Sequence, residues 1–206
     1  MYARSTTFKD RPEALEAAVA MVRDEVMPAV QEMQGCVGLS MLVDRTSGSC
    51  VVTTAWASHP DLESSAPRVA PLRDRAHQLF GSRPEVRVWE IAVLHRAHTT
   101  ADGACARVTW LRVPPEEVDE QVETFRTGSL PQIEELPGFC SASLLVDRTT
   151  GRSVLAVVYD SAEMLEQSRQ AAMGLRAEAV SGTSSQVLDV AEFDVVLAHL
   201  RVPETV

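Results

Sequence analysis

Apolar residues recur along the chain with two alternating spacings, and the order of these spacings predicts the secondary structure. Residues 2–8 alternate as a short strand does, whereas residues 15–33 carry an apolar side chain every three or four positions, as an amphipathic helix does. Two β-branched runs within 36–57, joined by an Asp- and Gly-containing turn, predict a hairpin. A second helix after Ser58 and a strand at 86–94 complete the order β-α-β-β-α-β, the ferredoxin-like split motif.

The same order occurs a second time, because the chain contains an internal repeat. Residues 28–58 and 131–161 align without a gap, and 12 of 31 positions are identical. Self-similarity of this extent indicates two copies of one structural unit. We therefore predict a first repeat at 1–97, a linker at 98–103 and a second repeat at 104–206.

Capping residues and prolines predict where the helices begin, bend and break. Asp10 is expected to cap the first helix, and Pro28, like its counterpart in the second repeat, is expected to bend or restart it near its last turns. Pro67 and Pro71 predict a broken second helix in the first repeat, whereas 162–181 is expected to form one uninterrupted helix. A broken helix opens the mouth of a cavity, so we expect the first repeat to supply more of any functional cavity.

The composition predicts a globular chain that binds neither nucleic acid nor membranes. Of 206 residues, 45% are hydrophobic and 23% charged, and the net charge of −10 repels phosphate backbones and anionic lipid. The absence of a long apolar run and of a secretory leader predicts a cytoplasmic protein. The four cysteines show no C-x-x-C spacing, so we expect reduced thiols. Lys9 is the only lysine among 19 basic residues, a usage typical of a GC-rich bacterium.

Each unit would cover one face of its sheet with helices, so its other face needs a partner, and two units can enclose a space between their bare sheets. Both repeats contain Pro-x₃-Glu-x₂-Gly-x₂-[GS] followed by Leu-Val-Asp-Arg-Thr, and a third strand ends in Ala-Trp-Ala-Ser at 55–58. In these motifs the chain resembles the antibiotic biosynthesis monooxygenase family. The resemblance implies an α+β fold with two ferredoxin-like βαββαβ repeats forming a pseudo-dimeric α/β barrel. One chain would then suffice to form one barrel, and the resemblance also allows a homodimer.

Residues that recur on the first and fourth strands are candidates for lining this space. They are Arg4, Thr6 and Glu90 in the first repeat, and Arg107, Thr109 and Glu192 in the second, with one residue of slippage for the glutamates. Alternate positions share one face of a strand, and the first and fourth strands are neighbours in this fold. We therefore predict an Arg–Glu pair in each repeat, either holding an anionic or phenolic ligand or forming ion pairs at the rim.

Aromatic and histidine side chains supply the remaining candidates. Trp56 ends the third strand and Tyr159 is its counterpart, so both either anchor the core or contact a ligand. The resemblance implies haem ligation by His77 as a remote alternative, because haem-degrading relatives place a histidine in a comparable stretch of this helix. His95 and His98 have H-x-x-H spacing, but the sequence shows no third ligand, so we expect exposed histidines and no metal.

The resemblance implies a cofactor-independent monooxygenase or isomerase that acts on a small aromatic or polyketide-like molecule between the sheets. The catalytic residues are unknown, since no residue stands out as a general base. The alternative is a non-catalytic small-molecule-binding or scaffold protein of the same fold. An unpaired titratable group in a cavity of roughly a few hundred Å³ would favour the enzyme.

Overall fold

The computed structural model describes residues 1–200, and its contacts divide them into two compact units. Of the described residues, unit 1 contains Met1–Trp89 and 194–200, and unit 2 contains Glu90–Phe193. Each unit thus takes most of its residues from one sequence repeat and part of its last strand from the other. The repeat boundaries at 97, 103 and 206 stay predictions, and the last six residues lie outside the described part of the chain.

The elements follow the predicted order in both repeats. The strands are β1 (Tyr2–Phe8), β2 (Cys36–Asp44), β3 (Ser49–Trp56), β4 (Glu85–Arg96), β5 (Cys105–Arg112), β6 (Phe139–Asp147), β7 (Arg152–Tyr159) and β8 (Gln186–Leu200). The helices are α1 (Leu15–Met21), α2 (Met27–Gln31), α3 (His59–Phe80), α4 (Val118–Thr124), α5 (Leu130–Glu134), α6 (Ala162–Gln167) and α7 (Arg169–Val180). Within residues 1–200, none of these helices is long and apolar enough to cross a membrane.

The strand pairing in each unit is antiparallel. In unit 1, β3 lies between β1 and β2, and β2 also pairs with the end of β8. In unit 2, β7 lies between β5 and β6, and β6 also pairs with the end of β4. This pairing confirms the α+β fold class, with two ferredoxin-like βαββαβ repeats of the pseudo-dimeric α/β-barrel type.

Proline restarts the first helix of each repeat, as predicted. Pro28 lies at the start of α2, directly after the π-helical turn Val22–Val26, and Pro131 follows the corresponding turn Phe125–Ser129. Because proline offers no amide hydrogen to the preceding turn, the wider turn lets the helix continue without that bond. The predicted cap at Asp10 is wrong, since this residue has a φ of +62° and makes no cap.

The second helices differ from the prediction in both repeats. In the first repeat, α3 runs unbroken through Pro67 and Pro71. Both prolines lie on its exposed face, so the carbonyls that lose an amide partner can bond to water. In the second repeat, Ser168 separates α6 from α7. A broken second helix therefore occurs in the repeat where we expected a continuous one.

The shared Asp-Arg-Thr-x-Gly sequence forms the hairpin turns. Oδ1 of Asp44 accepts hydrogen bonds from the amides of Thr46 (2.8 Å) and Ser47 (3.2 Å), and Gly48 has a φ of +74°. The second hairpin repeats the same bonds at Asp147. These contacts fully explain the repeated motif as a structural one.

Two glycines with the same backbone conformation test how tightly the second hairpin packs. Gly151 and Gly182 have φ values of +68° and +72°, but a Cβ on Gly151 would overlap the carbonyl oxygen of Val113, whereas one on Gly182 would meet open space. We expect Gly182→Ala to lower the free energy of unfolding by about 1 to 2 kcal/mol. Gly151→Ala should lower it by roughly 1 to 3 kcal/mol more, because the turn must shift. Urea denaturation measures both, and equal losses would contradict the packing.

Candidate functional site

A cavity of about 400 Å³ lies inside unit 2, between its sheet and the helices that cover it. Arg107, Thr109 and Leu111 line it from β5, and because they alternate along the strand, they share the face that the helices cover. Phe125 and Leu175 line it from the helical side. Our prediction placed the site between the two sheets, whereas this cavity lies on the helical side of one sheet.

Smaller side chains explain why the cavity lies in the second repeat. The first repeat has a pocket of only about 50 Å³, in which Phe8 stacks on Phe80 with 4.5 Å between ring centroids. At the equivalent positions of the second repeat, 103 residues further along the chain, Leu111 corresponds to Phe8 and Ala172 corresponds to Val69. We expected the first repeat to supply more of a functional cavity, whereas the larger of these two cavities lies in the second repeat. Side-chain volume rather than helix continuity opens this space.

Arg107 is buried at the polar end of the cavity and is fully hydrogen-bonded. Its Nη1 donates to Ser168 Oγ (3.1 Å) and to the Tyr159 hydroxyl (3.4 Å), and its Nη2 donates to the Leu165 carbonyl (2.8 Å). Nε and Nη2 both donate to Oε1 of Glu192, at 3.0 and 2.9 Å. The predicted pair of Arg107 and Glu192 is thus confirmed. With its donors engaged, this arginine positions the helix and the carboxylate and is not free to bind a ligand.

The second predicted pair, Arg4 with Glu90, is wrong. Arg4 is buried and donates to Ser65 Oγ (2.8 Å) and the Leu62 carbonyl (2.7 Å). Glu90 instead binds Arg148, with Nε 2.7 Å from Oε2. Burial lowers the pKa of the Arg4 guanidinium, which is expected for a buried cation without a carboxylate partner.

The strand register explains this error. Glu90 lies opposite Val146 and Asp194 lies opposite Val43, and the two valines are 103 residues apart. Glu90 is therefore equivalent to Asp194 and not to Glu192. The residue equivalent to Glu192 in the first repeat is a valine, two positions before Glu90. The second repeat has one more residue before this point of β8, which changes the offset between the repeats from 103 to 104, and sequence identity alone hid this change.

Two polar groups that line the cavity have no partner within residues 1–200. The Arg176 guanidinium makes no hydrogen bond or ion pair there, and Oε1 of Gln121 is buried without a hydrogen bond. Burial and then the charge of Arg107 lower the pKa of Arg176. An anion beside Arg176 and a hydroxyl beside Gln121 would satisfy both groups.

Our sequence reasoning missed these two residues, although one signal was available. Arg176 recurs as Arg73, 103 residues earlier, just as Arg107 recurs as Arg4. No such signal marks Gln121, whose counterpart is an alanine.

The other predicted residues have different places. Thr109 and Tyr159 line the cavity, whereas Thr6 lines the small pocket of the first repeat. Trp56 is fully buried, and its Nε1 donates to Thr54 Oγ1 at 3.1 Å, so it is a core anchor.

The surroundings of His77 do not fit a haem. This histidine lines neither cavity, and the pocket in its repeat, at about 50 Å³, is far below the size of a cofactor site.

No protein-family model matches the chain. Over 206 residues it is 48% identical to the uncharacterised protein Rv2557 of Mycobacterium tuberculosis, covering 100% of this chain and 92% of that protein. Over 207 residues it is also 48% identical to Rv2558 of the same organism, covering 100% of this chain and 88% of that protein. The chain belongs to the family of these mycobacterial proteins. Its relatives are thus bacterial, in line with its arginine-rich composition.

Solved structures share the whole fold at low sequence identity. A candidate monooxygenase from Fusobacterium nucleatum has a TM-score of 0.74 and 13% identity, covering 99% of this chain and 96% of that one. An anthrone oxidase-like protein has a TM-score of 0.63 and 17% identity, with coverages of 97% and 92%. A ferredoxin-fold protein related to antibiotic biosynthesis monooxygenases, from Listeria monocytogenes, has a TM-score of 0.51 and 10% identity, with coverages of 94% and 94%. These matches confirm the resemblance at the level of fold.

The coupling between Arg107 and Glu192 tests the positioning role. The side chains are 5% and 30% exposed, whereas those of the matched pair Arg45 and Asp194 are 53% and 50% exposed. We expect a double-mutant cycle with Met and Gln replacements to give a coupling of about 1 to 3 kcal/mol for the buried pair. The exposed pair should give about 0.2 to 1 kcal/mol. Urea denaturation of the six variants and the wild type measures both couplings, and equal couplings would contradict the role.

Proposed function

We propose that this chain binds a small aromatic or polyketide-like molecule with an acidic hydroxyl in the cavity of unit 2, and oxygenates it without a cofactor. The observation that carries the proposal is the pair of unpartnered polar groups, on Arg176 and Gln121, at a cavity of about 400 Å³ with an otherwise largely apolar lining. The fold shared with monooxygenase-like proteins supports it.

The electrostatics of the cavity favour a ligand in its anionic form. Glu192 forms its ion pair with Arg107, whereas Arg176 makes no ion pair within residues 1–200, and the attraction of Glu192 for Arg176 affects the pKa of Arg176 less than burial and Arg107 do. A phenolate or enolate next to Arg176 gains an opposite charge in a cavity with little water, and this lowers the pKa of the bound hydroxyl. The protein would thereby ionise its ligand by binding it.

An ionised anthrone-type ligand reacts with oxygen in a balanced step. The methylene carbon gives up two hydrogens and four electrons, one atom of O₂ becomes its carbonyl oxygen, and the other atom leaves as water. The protein contributes the dry cavity and the stabilised anion. An isomerase would use the same anion and return the proton to another carbon.

A non-catalytic binding protein is the second candidate, and the acidic residues favour it. Glu117 and Glu120 are the carboxylates that line the cavity; Glu117 is half-buried and Glu120 is exposed. The Ser184 hydroxyl already donates to Glu117. Within the described chain, no histidine lines this cavity, so the side chain that most often acts as a general base is missing from the lining.

A hydroxylated anthrone tests the binding site through two replacements. Leu111→Phe introduces the residue of the first repeat and should fill the cavity, and Arg176→Met should remove the anion partner. We expect each to raise the Kd, measured by calorimetry, at least tenfold. Arg73→Met, at the equivalent place in the first repeat, and Met173→Leu, on the exposed face of α7, should leave it unchanged. Unchanged binding by Leu111→Phe would contradict this site.

Oxygen uptake separates the two candidate functions. The enzyme should consume one O₂ per ketone formed, faster than the unassisted reaction, and Arg176→Met should slow it at least tenfold. Tight binding of the anthrone without accelerated oxygen uptake would favour the non-catalytic protein.

A further inference from the structure

A histidine, a cysteine and an aspartate meet in unit 2, away from the cavity. His98 lies in the connection between β4 and β5, Cys140 lies on β6, and Asp160 directly follows β7. The ligand atoms of these three side chains all lie within 4.8 Å of one another. The sequence showed H-x-x-H spacing without a third ligand, and the fold supplies two further donors from residues far along the chain.

The histidine ring is oriented toward the aspartate. Nδ1 of His98 lies 3.3 Å from the carbonyl oxygen of Thr99, so this nitrogen can carry the ring proton. A carbonyl bond at Nδ1 leaves the lone pair of Nε2 free, as in many metal-binding histidines. Nε2 lies 3.5 Å from Oδ1 of Asp160. In this tautomer both atoms are acceptors, and a cation between them would satisfy both.

The thiol completes the donor set from the protein side. Cys140 is 0% exposed, and its Sγ lies 3.4 Å from the His98 carbonyl oxygen and 3.5 Å from Oγ1 of Thr100. The thiol donates to the His98 carbonyl, and a metal bound at Sγ would take the place of this proton. In a tetrahedral zinc site with bonds of about 2.0 to 2.3 Å, ligand atoms lie roughly 3.3 to 3.6 Å apart. The separation of Nε2 and Oδ1 already has this value.

We propose that His98, Cys140 and Asp160 bind a divalent transition metal of the zinc type. Nitrogen, sulfur and carboxylate donors together suit Zn²⁺ and Co²⁺ rather than Mg²⁺ or Ca²⁺. The side chains of His98 and Asp160 are 47% and 44% exposed, so the metal can reach the site from solvent. Three protein ligands leave a fourth position for water. Bound metal would tie the connection between β4 and β5 to the ends of β6 and β7.

His95 does not belong to this site, in spite of its spacing. Its Nε2 lies 2.8 Å from Oε1 of Glu134, on α5. Of the two histidines in the H-x-x-H sequence, His95 therefore contacts Glu134, and His98 belongs to the proposed metal site.

Cobalt titration of the chelator-treated, reduced full-length protein tests the proposal. We expect one equivalent of Co²⁺ to bind, with a thiolate-to-cobalt charge-transfer band that Zn²⁺ removes by displacement. Cys140→Ser should abolish the band, and His98→Gln and Asp160→Asn should each raise the Kd at least tenfold. Cys36→Ser, which replaces a partly exposed thiol of the first repeat, should retain the band.

Thermal denaturation gives a second readout. Zn²⁺ should raise the Tm of the wild type and of Cys36→Ser, but not that of Asp160→Asn, a surface change that leaves the buried thiol in place. A missing band in the wild type, a band that survives in Cys140→Ser, or unchanged Co²⁺ affinity in His98→Gln would each overturn the site. A simple ion pair between His98 and Asp160 predicts these negative results. Because the site lies outside the cavity, anthrone binding does not decide it.

Discussion

A buried arginine on the first strand of each repeat fixes the second helix to the sheet. Arg107 and Arg4 each donate to a leucine carbonyl and a serine hydroxyl one turn apart on that helix. A guanidinium that is only 5% exposed is strongly destabilising unless its donors are bonded. The helix must therefore hold its first turns at one distance from the sheet. The space between helix and sheet then depends on the side chains further along, which leaves their size free to vary between the repeats.

The two repeats use this common frame differently. In the first, stacked Phe8 and Phe80 fill the space that Leu111 and Ala172 leave open in the second. Duplication thus preserved the positions that hold the fold, and the cavity of about 400 Å³ lies in the second copy. The arginines of the two hairpin turns, Arg45 and Arg148, are among the positions that duplication preserved. Each binds an acidic residue of the first helix and one of the last strand, and these pairs are equivalent in both units.

Local signals predicted the fold well because their causes are local. The Asp44 turn, the helix cap at Ser58 and the positive φ of Gly48 each depend on a few adjacent residues. The cap predicted at Asp10 is a local failure, because this residue adopts a positive φ. The other failures have longer-range causes. The partner of Glu90 depends on the loop length before β8, and the tolerance of Pro67 depends on which face of α3 meets solvent. The size of the cavity depends on the side-chain volumes of residues from several elements, and no single position in the sequence shows their combined volume.

Charge alone would favour the first repeat as the place for an anionic ligand. Arg4 and Arg73 are the counterparts of Arg107 and Arg176, and neither makes an ion pair within residues 1–200. The first repeat therefore has the more positive arginine pair, and the charge of Arg73 adds to burial in lowering the pKa of Arg4. However, only about 50 Å³ is open there, so an organic anion cannot reach these charges. In the second repeat, Glu192 reduces the charge but the volume is eightfold larger. A site for an organic anion requires a positive charge and the space to approach it, and the cavity of the second repeat offers both beside Arg176.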